Sequence, residues 1–282
     1  MRAFFLFFAI FLSALLPAQA QEPVPAGKKD PDSLNAKITA ARKATAEKRF
    51  SDSESMMAKV TADNPTLILP WVELGLAQLG LKKYPEAENS FKMALGIDPE
   101  SARREHKDDF YQSTDKRDAV APTATRNSRS AVGSVINNAQ SRTPDIKGVS
   151  WASLGEIYAH EGKTKDAEDA FDNAVTAFPP QAAQYRRNET IVFFQVGNSD
   201  AQYPAAEQAI ALDPTRAALY YFKGQALVSK ATIDPATQKM VLAPGCAEAY
   251  LKYLELEPDG PYSADAKGVL AGAGIPFKAG KK

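Results

Sequence analysis

Residues 151–179 read WASLGEIYAHEGKTKDAEDAFDNAVTAFP, and the chain's other tryptophan, Trp71, opens a matching stretch eighty residues earlier. At that constant offset Trp71 falls on Trp151, Leu74 on Leu154 and Gly75 on Gly155. Ala87 then falls on Ala167, Phe91 on Phe171, Ala94 on Ala174 and Pro99 on Pro179. Seven coincidences at one offset mark an internal repeat. Each position has a physical role. Trp and Leu stand at i and i+3 on one helical face. Glycine and alanine let two helices approach closely. Phe91 and Phe171 are expected to fill the gap between neighbouring repeats. Proline ends the second helix because it cannot continue the hydrogen-bond ladder.

The pattern W-x2-L-G, then Ala, Phe, Ala and a closing Pro, resembles the tetratricopeptide repeat (TPR) family, whose unit is a helix–turn–helix of about 34 residues. The resemblance implies an all-α fold: an α-solenoid of antiparallel helix pairs, each burying its apolar face against its neighbours. Weaker copies lie in phase. Residues 34–67 carry Ala41 at the glycine position, Met57 at the Phe position and Pro65 at the end. Residues 183–216 place Glu189, Thr190 and Phe193 on a first helix, Gly197 at the turn, and Ala206, Ala209 and Pro214 on a second. Pro204 belongs in the first turn of that second helix or delays its start. A fifth copy starts at 217 with Tyr220, Lys223, Gly224 and Leu227. Its closing Pro258 comes ten residues late, so a loop near 230–245 is inserted, marked by Asp234-Pro235 and Pro244-Gly245. About five TPR-like repeats result, 1–2 over 34–101 and 3–5 over 148–258. Residues 259–282 read as a capping helix, with Pro261 in its first turn and a stripe of Ala266, Val269, Leu270 and Ala273, followed by a basic tail.

Between the blocks, residues 102–147 contain no Leu or Met and are rich in charged, Ser, Thr and Asn residues. They read as a polar linker or insertion, partly disordered, because so little apolar surface cannot offset the entropy of ordering. The second helix of repeat 2 can run on through ARREHKDDFYQ, and 131–139 can form a short helix. The segment either loops out of one continuous solenoid or separates two blocks. Since about three repeats are needed for stability, one array is favoured.

Residues 1–20 have the form of a signal peptide: Arg2, an apolar run over 3–16, and Ala18-Gln19-Ala20 as a cleavage signature. The run is shorter than the roughly twenty residues a membrane span needs; an uncleaved anchor is the alternative. Residues 21–33 read as a flexible N-terminal segment. The expected location is the periplasm or the outside of the cell, with no integral membrane segment after cleavage. The charge is balanced, 34 basic against 34 acidic residues, which gives no electrostatic case for nucleic acid. The single cysteine, Cys246, allows no internal disulfide.

The chain shows no catalytic constellation. His106 and His160 are its two histidines, with no metal-ligand spacing. No nucleophile elbow, P-loop or dinucleotide fingerprint occurs. Cys246 reads as a small buried hydrophobe, and Asn188-Glu189-Thr190, a sequon by its letters, falls mid-helix. No cofactor or metal is implied, and the chain is read as a non-enzyme. What remains is the groove that first helices line in the family. Carried onto this chain, its positions supply Glu156, His160, Arg187, Gln195, Tyr221 and Gln225, a mixed surface suited to a peptide or partner protein in the cell envelope. The lysine and asparagine set for gripping a C-terminal carboxylate is not found in phase. An alternative is a binding module for cell-wall glycan or a small solute using the Tyr-rich second block of repeats; most of the Tyr220-Tyr221-Phe222 cluster is expected to be core, since three consecutive helical residues cannot share a face.

Overall fold

The computed structural model describes residues 33–97 and 142–277. The expectations for the signal peptide, for most of 21–33 and 102–147, for the helix at 131–139 and for the basic tail lie outside the described residues.

Eleven α-helices are present among the described residues. In chain order they are α1 (Leu34–Ala46), α2 (Phe50–Asp63), α3 (Ile68–Gly80), α4 (Tyr84–Leu95), α5 (Pro144–His160) and α6 (Thr164–Ala177). There follow α7 (Ala182–Gln195), α8 (Ser199–Leu212), α9 (Ala217–Val228), α10 (Cys246–Leu256) and α11 (Ser263–Gly272). The first ten form five antiparallel pairs; each second helix packs on the first helix of the next pair, and successive first helices touch. The architecture is an α-solenoid closed by α11, which packs on α10.

Four of the five turns within the pairs share one geometry. Lys48, Lys82, Gly162 and Gly197 each adopt the left-handed conformation, with φ of 61°, 59°, 75° and 73°. The next residue donates its N–H back five positions, as Lys163 does to the Tyr158 carbonyl at 2.8 Å and Asn198 to Phe193 at 2.9 Å. This closure satisfies carbonyls left open at the helix end. Glycine takes it without strain, whereas the two lysines carry a Cβ in that region.

The signature residues pack within their own repeat. A Cβ on Gly75 would stand 2.9 Å from the Phe91 ring, and one on Gly155 would stand 2.7 Å from Phe171. The phenylalanines therefore occupy the space left by the glycine of the same repeat, not the gap between repeats as expected from sequence. The pair can exchange volume: Ala41 with Met57 in repeat 1, and Thr190 with Ala206 in repeat 4, hold the same two positions and are all fully buried. Trp71 is half-buried and donates its indole N–H to the Pro65 carbonyl at 2.9 Å. Tyr220, at the equivalent place in repeat 5, donates its hydroxyl to the Pro214 carbonyl at 3.0 Å. Repeat 4 departs furthest. Arg186 and Glu189 replace Trp and Leu and pair at 2.9 Å, and Arg186 also holds Asp172. Enclosure pushes the Glu189 carboxyl up to about 7 although Arg186 opposes it.

Several boundaries differ from expectation. Helix α5 starts at Pro144, so residues 144–147 are helical rather than linker; Pro144 presets the first-turn backbone, and Ile146 is buried in the core. Helix α4 does not run on: it stops at Leu95, where Gly96 turns left-handed at φ 77° and Ile97 donates back to Lys92 at 2.9 Å. Pro204 stands inside α8, beyond its first turn. The carbonyl it leaves unbonded is that of exposed Asp200, within reach of water. Pro261 precedes α11. The inserted loop of repeat 5 carries a two-stranded antiparallel hairpin, Thr232–Ile233 with Met240–Val241, the one β-element among the described residues.

The core is continuous across residues 98–141. Ile68, Val72 and Phe91 of repeat 2 share one buried cluster with Ile146, Val149 and Leu154 of α5. Arg142 donates from Nε to the Ala94 carbonyl at 3.1 Å, and Tyr158 donates its hydroxyl to Glu88 at 3.3 Å.

Candidate functional site

The first helices α3, α5, α7 and α9 stand side by side. On α5 the signature residues Leu154 and Gly155 turn into the repeat, which leaves Glu156 and His160, one turn apart, on a different face. The His160 imidazole stacks on the Tyr84 ring of α4, with centroids 5.0 Å apart and planes inclined by 17°. Enclosure, helped by the nearby Lys82 charge, holds that imidazole below its ordinary value. Tyr84 is pushed up by enclosure and by the charge of Glu156, which sets the carboxylate within electrostatic range of the phenol. Glu156 as a residue is partly open to solvent. Desolvation by the surrounding helices pushes its carboxyl up to about 7, and it has no hydrogen bond or ion pair among the described residues.

On α7, Arg187 is half-buried and held below the usual guanidinium value by enclosure, then by Arg216, against the pull of Asp213. Gln195 is exposed at the end of the helix. Beside it Phe194 is 36% exposed, with its centroid 5.0 Å from that of Phe222.

On α9 the expectation that Tyr221 lines the open groove is corrected. Tyr221 is buried, with 6% exposure. Its ring stacks on Tyr262 at 4.1 Å, and its hydroxyl donates to Asp265 of α11 at 3.0 Å. Gln225 donates to the same Asp265 oxygen at 2.6 Å and to the Tyr221 hydroxyl at 2.9 Å. The closing helix therefore answers both side chains from within the chain. The cause is positional: in the last repeat, the residues that would face a further repeat meet the cap instead.

The six sequence candidates thus fall into three groups: Glu156 with His160 around Tyr84, Arg187 and Gln195 on α7, and Tyr221 with Gln225 under the cap. Tyr84 escaped the sequence reading because it stands on the second helix of the preceding repeat, outside the positions assigned to the groove. A further depression of about 670 Å³ lies where the turns of repeats 3–5 meet, lined by His160, Gly162, Thr164, Asn198, Asp200 and Lys230 among others. Asn198 donates to Thr164 at 2.8 Å, and Lys230 pairs with Asp200 at 3.0 Å. The recurrence of a turn glycine at 162 and 197 was the available sequence signal for it. No group of three or more His, Cys, Asp or Glu side chains placed to hold a metal occurs among the described residues. None of the described helices is long and apolar enough to cross a membrane.

The helix pairs and their repeated glycine–aromatic contacts define an α-solenoid of tetratricopeptide type. No sequence-family profile matches the chain, and no curated protein matches it in sequence. Among solved structures, it is similar to YrrB, described as a TPR protein with an unusual peptide-binding site. The identity is 14% over 83% of this chain and 91% of that one, with a TM-score of 0.47. MamA is similar at 15% identity over 82% and 96% of the two chains, with a TM-score of 0.47. TTC0263, a thermophilic TPR protein of Thermus thermophilus, is similar at 14% identity over 85% and 97%, with a TM-score of 0.43.

Proposed function

We propose that the chain is an exported, non-enzymatic scaffold that docks a peptide or a partner protein of the cell envelope on the face formed by its first helices. The observation that carries the reading is the uncovered run on α5 and α7. Glu156, His160, Arg187, Phe194 and Gln195 keep solvent access there while the signature positions beside them are buried. An exposed ring flanked by charged and amide groups is the composition of a recognition surface. Its centre lies in repeats 3 and 4, because the cap occupies Tyr221 and Gln225 of repeat 5.

The test is site-specific photocrosslinking in the exporting cell. A photoreactive residue at Gln195 should capture a discrete partner, whereas the same residue at Lys165, exposed on the second helix of repeat 3, should not. Equal capture from both positions, or no capture from Gln195 in a correctly folded protein, overturns the reading. A fractionation experiment tests export separately: the mature chain should start at Gln21 and be released with the envelope fraction. The glycan alternative loses its main support, since Tyr221 is buried and its hydroxyl is engaged.

A further inference from the structure

Two carboxylates, Glu73 and Glu189, are buried on first helices of the array, and a third, Glu156, is partly buried. Glu73 of α3 accepts from Arg42 of α1 at 2.6 Å. Glu189 of α7 pairs with Arg186 at 2.9 Å. Glu156 of α5 stands between these two in the stack and has no side-chain hydrogen bond or ion pair among the described residues. A partly exposed carboxylate that its own chain leaves unpaired is open to a cation from outside. Unlike Glu73, which is 4% exposed, Glu156 keeps a solvent opening. One turn along α5 from it, His160 is stacked on Tyr84, so each ring keeps one face outside the stack, and a cation is attracted by a ring face as well as by a carboxylate.

We propose that Glu156, with the Tyr84–His160 ring pair, forms a site for one organic cation, the guanidinium or ammonium group of an arginine or lysine side chain in a bound peptide. The proposal rests on the docking reading above, to which it adds the chemistry of the partner: a basic residue seated at the junction of repeats 2 and 3. The incoming cation would take the place that Arg42 fills for Glu73 and Arg186 for Glu189. The titratable groups around the site are Tyr84 on α4, Lys82 in the α3–α4 turn and His160 on α5 itself. The charged neighbours of Arg187 on α7 are Arg216 and Asp213, so it does not answer Glu156. The Lys82 charge acts on His160.

The experiment is an NMR titration of the full chain with N-acetyl-arginine amide and, as a neutral control, N-acetyl-norleucine amide. The readout is the His160 ring, assigned against His106 with a His160→Asn variant. The arginine amide should shift the His160 signals saturably and leave His106 unmoved, and the norleucine amide should do neither. Glu156→Gln, isosteric and free of any broken pair, should abolish the saturation. Because the ionised carboxylate supplies the counter-charge, affinity should rise up to about tenfold between pH 6 and pH 8. Absence of saturation, persistence of binding in Glu156→Gln, or an affinity independent of pH overturns the site. Peptides then separate the two readings. If peptides bind but ignore both Glu156→Gln and the exchange of their arginine for norleucine, the cation site falls and the docking surface stands. If the amide binds at Glu156 and no peptide does, the site stands and the docking reading falls.

Discussion

A Cβ on Gly224 would stand 2.9 Å from the Tyr250 ring, the same separation that a Cβ on Gly75 would have from Phe91. Yet 16 residues separate the earlier pair in sequence and 26 separate the later one. One contact is thus kept in repeat 5 while the chain between its halves is lengthened. Glycine beneath an aromatic ring is the unit that fixes how closely the two helices of a pair approach, and the first prediction tests it directly.

Gly155→Ala should destabilise the protein by about 1–3 kcal/mol, because the new methyl meets the Phe171 ring inside a packed pair. Gly162→Ala is the control. Nothing lies within 4 Å of a Cβ there, but φ is 75°, so its cost should be about 1 kcal/mol, from backbone strain alone. Urea melts of both variants give the comparison. A smaller loss for Gly155→Ala than for Gly162→Ala would refute the packing account.

The exchange of volume between the two positions predicts strong coupling in repeat 4. Ala206→Phe alone should cost about 1–3 kcal/mol through overpacking against Thr190. Thr190→Gly alone should cost about 1 kcal/mol or more, from a cavity and added backbone freedom. The double variant recreates the Gly–Phe pair of repeats 2 and 3 and should recover at least half of the summed loss. A double-mutant cycle measures this, and simple additivity would count against the shared site.

Glu156 also gives a stability prediction with a definite sign. Its folded value of about 7 lies above the ordinary 4.5. The native state therefore keeps a proton that the unfolded state releases, and stability falls as pH rises from about 4.5 to about 7. Glu156→Gln removes that loss. It should be more stable than the parent by about 1–2 kcal/mol at pH 8 and indistinguishable from it near pH 4, the range being discounted for the solvent opening. Glu189, also pushed up to about 7, has the same sign of linkage, so Glu189→Gln should likewise gain stability relative to the parent between pH 4 and pH 8, from a lower starting point because the variant weakens the pair with Arg186. Thermal melts at the two pH values decide both.

Cys246 is fully buried, its thiol lies 3.5 Å from the Gly224 carbonyl, and burial pushes it up to about 11. A thiol reagent at pH 8 should therefore leave the native chain untouched for hours and label it rapidly in denaturant. Prompt labelling of the native protein would show that repeat 5 opens locally.

The fold could be read from sequence where a role is carried by one residue type. Trp71, Gly75, Phe91 and their partners in repeat 3 have a fixed size and therefore a fixed letter. Repeat 4 was harder, because Arg186, Glu189, Thr190 and Ala206 fill the same positions by pairing charges and trading volume. The start of α5 was missed because Ile146, its anchoring apolar residue, follows a long polar stretch. Candidate surface residues were legible only as positions on a helix. Whether such a position stays open depends on what packs over it: Tyr221 lost its access to Tyr262 and Asp265, and the Gln225 amide is engaged by Asp265, about forty residues further on. The pairing of Glu156 and His160 with Tyr84 likewise joins two repeats across residues 98–141.

The hairpin of repeat 5 has a practical meaning. It enlarges a turn between two helices whose mutual packing is already fixed by Gly224 and Tyr250, so its length is free of the superhelix. Its tip, around Pro235 to Gln238, is exposed. A small reporter domain inserted there should be carried as cargo without altering the pitch of the array, and could report on the protein in the living cell while the face of α5 and α7 stays clear.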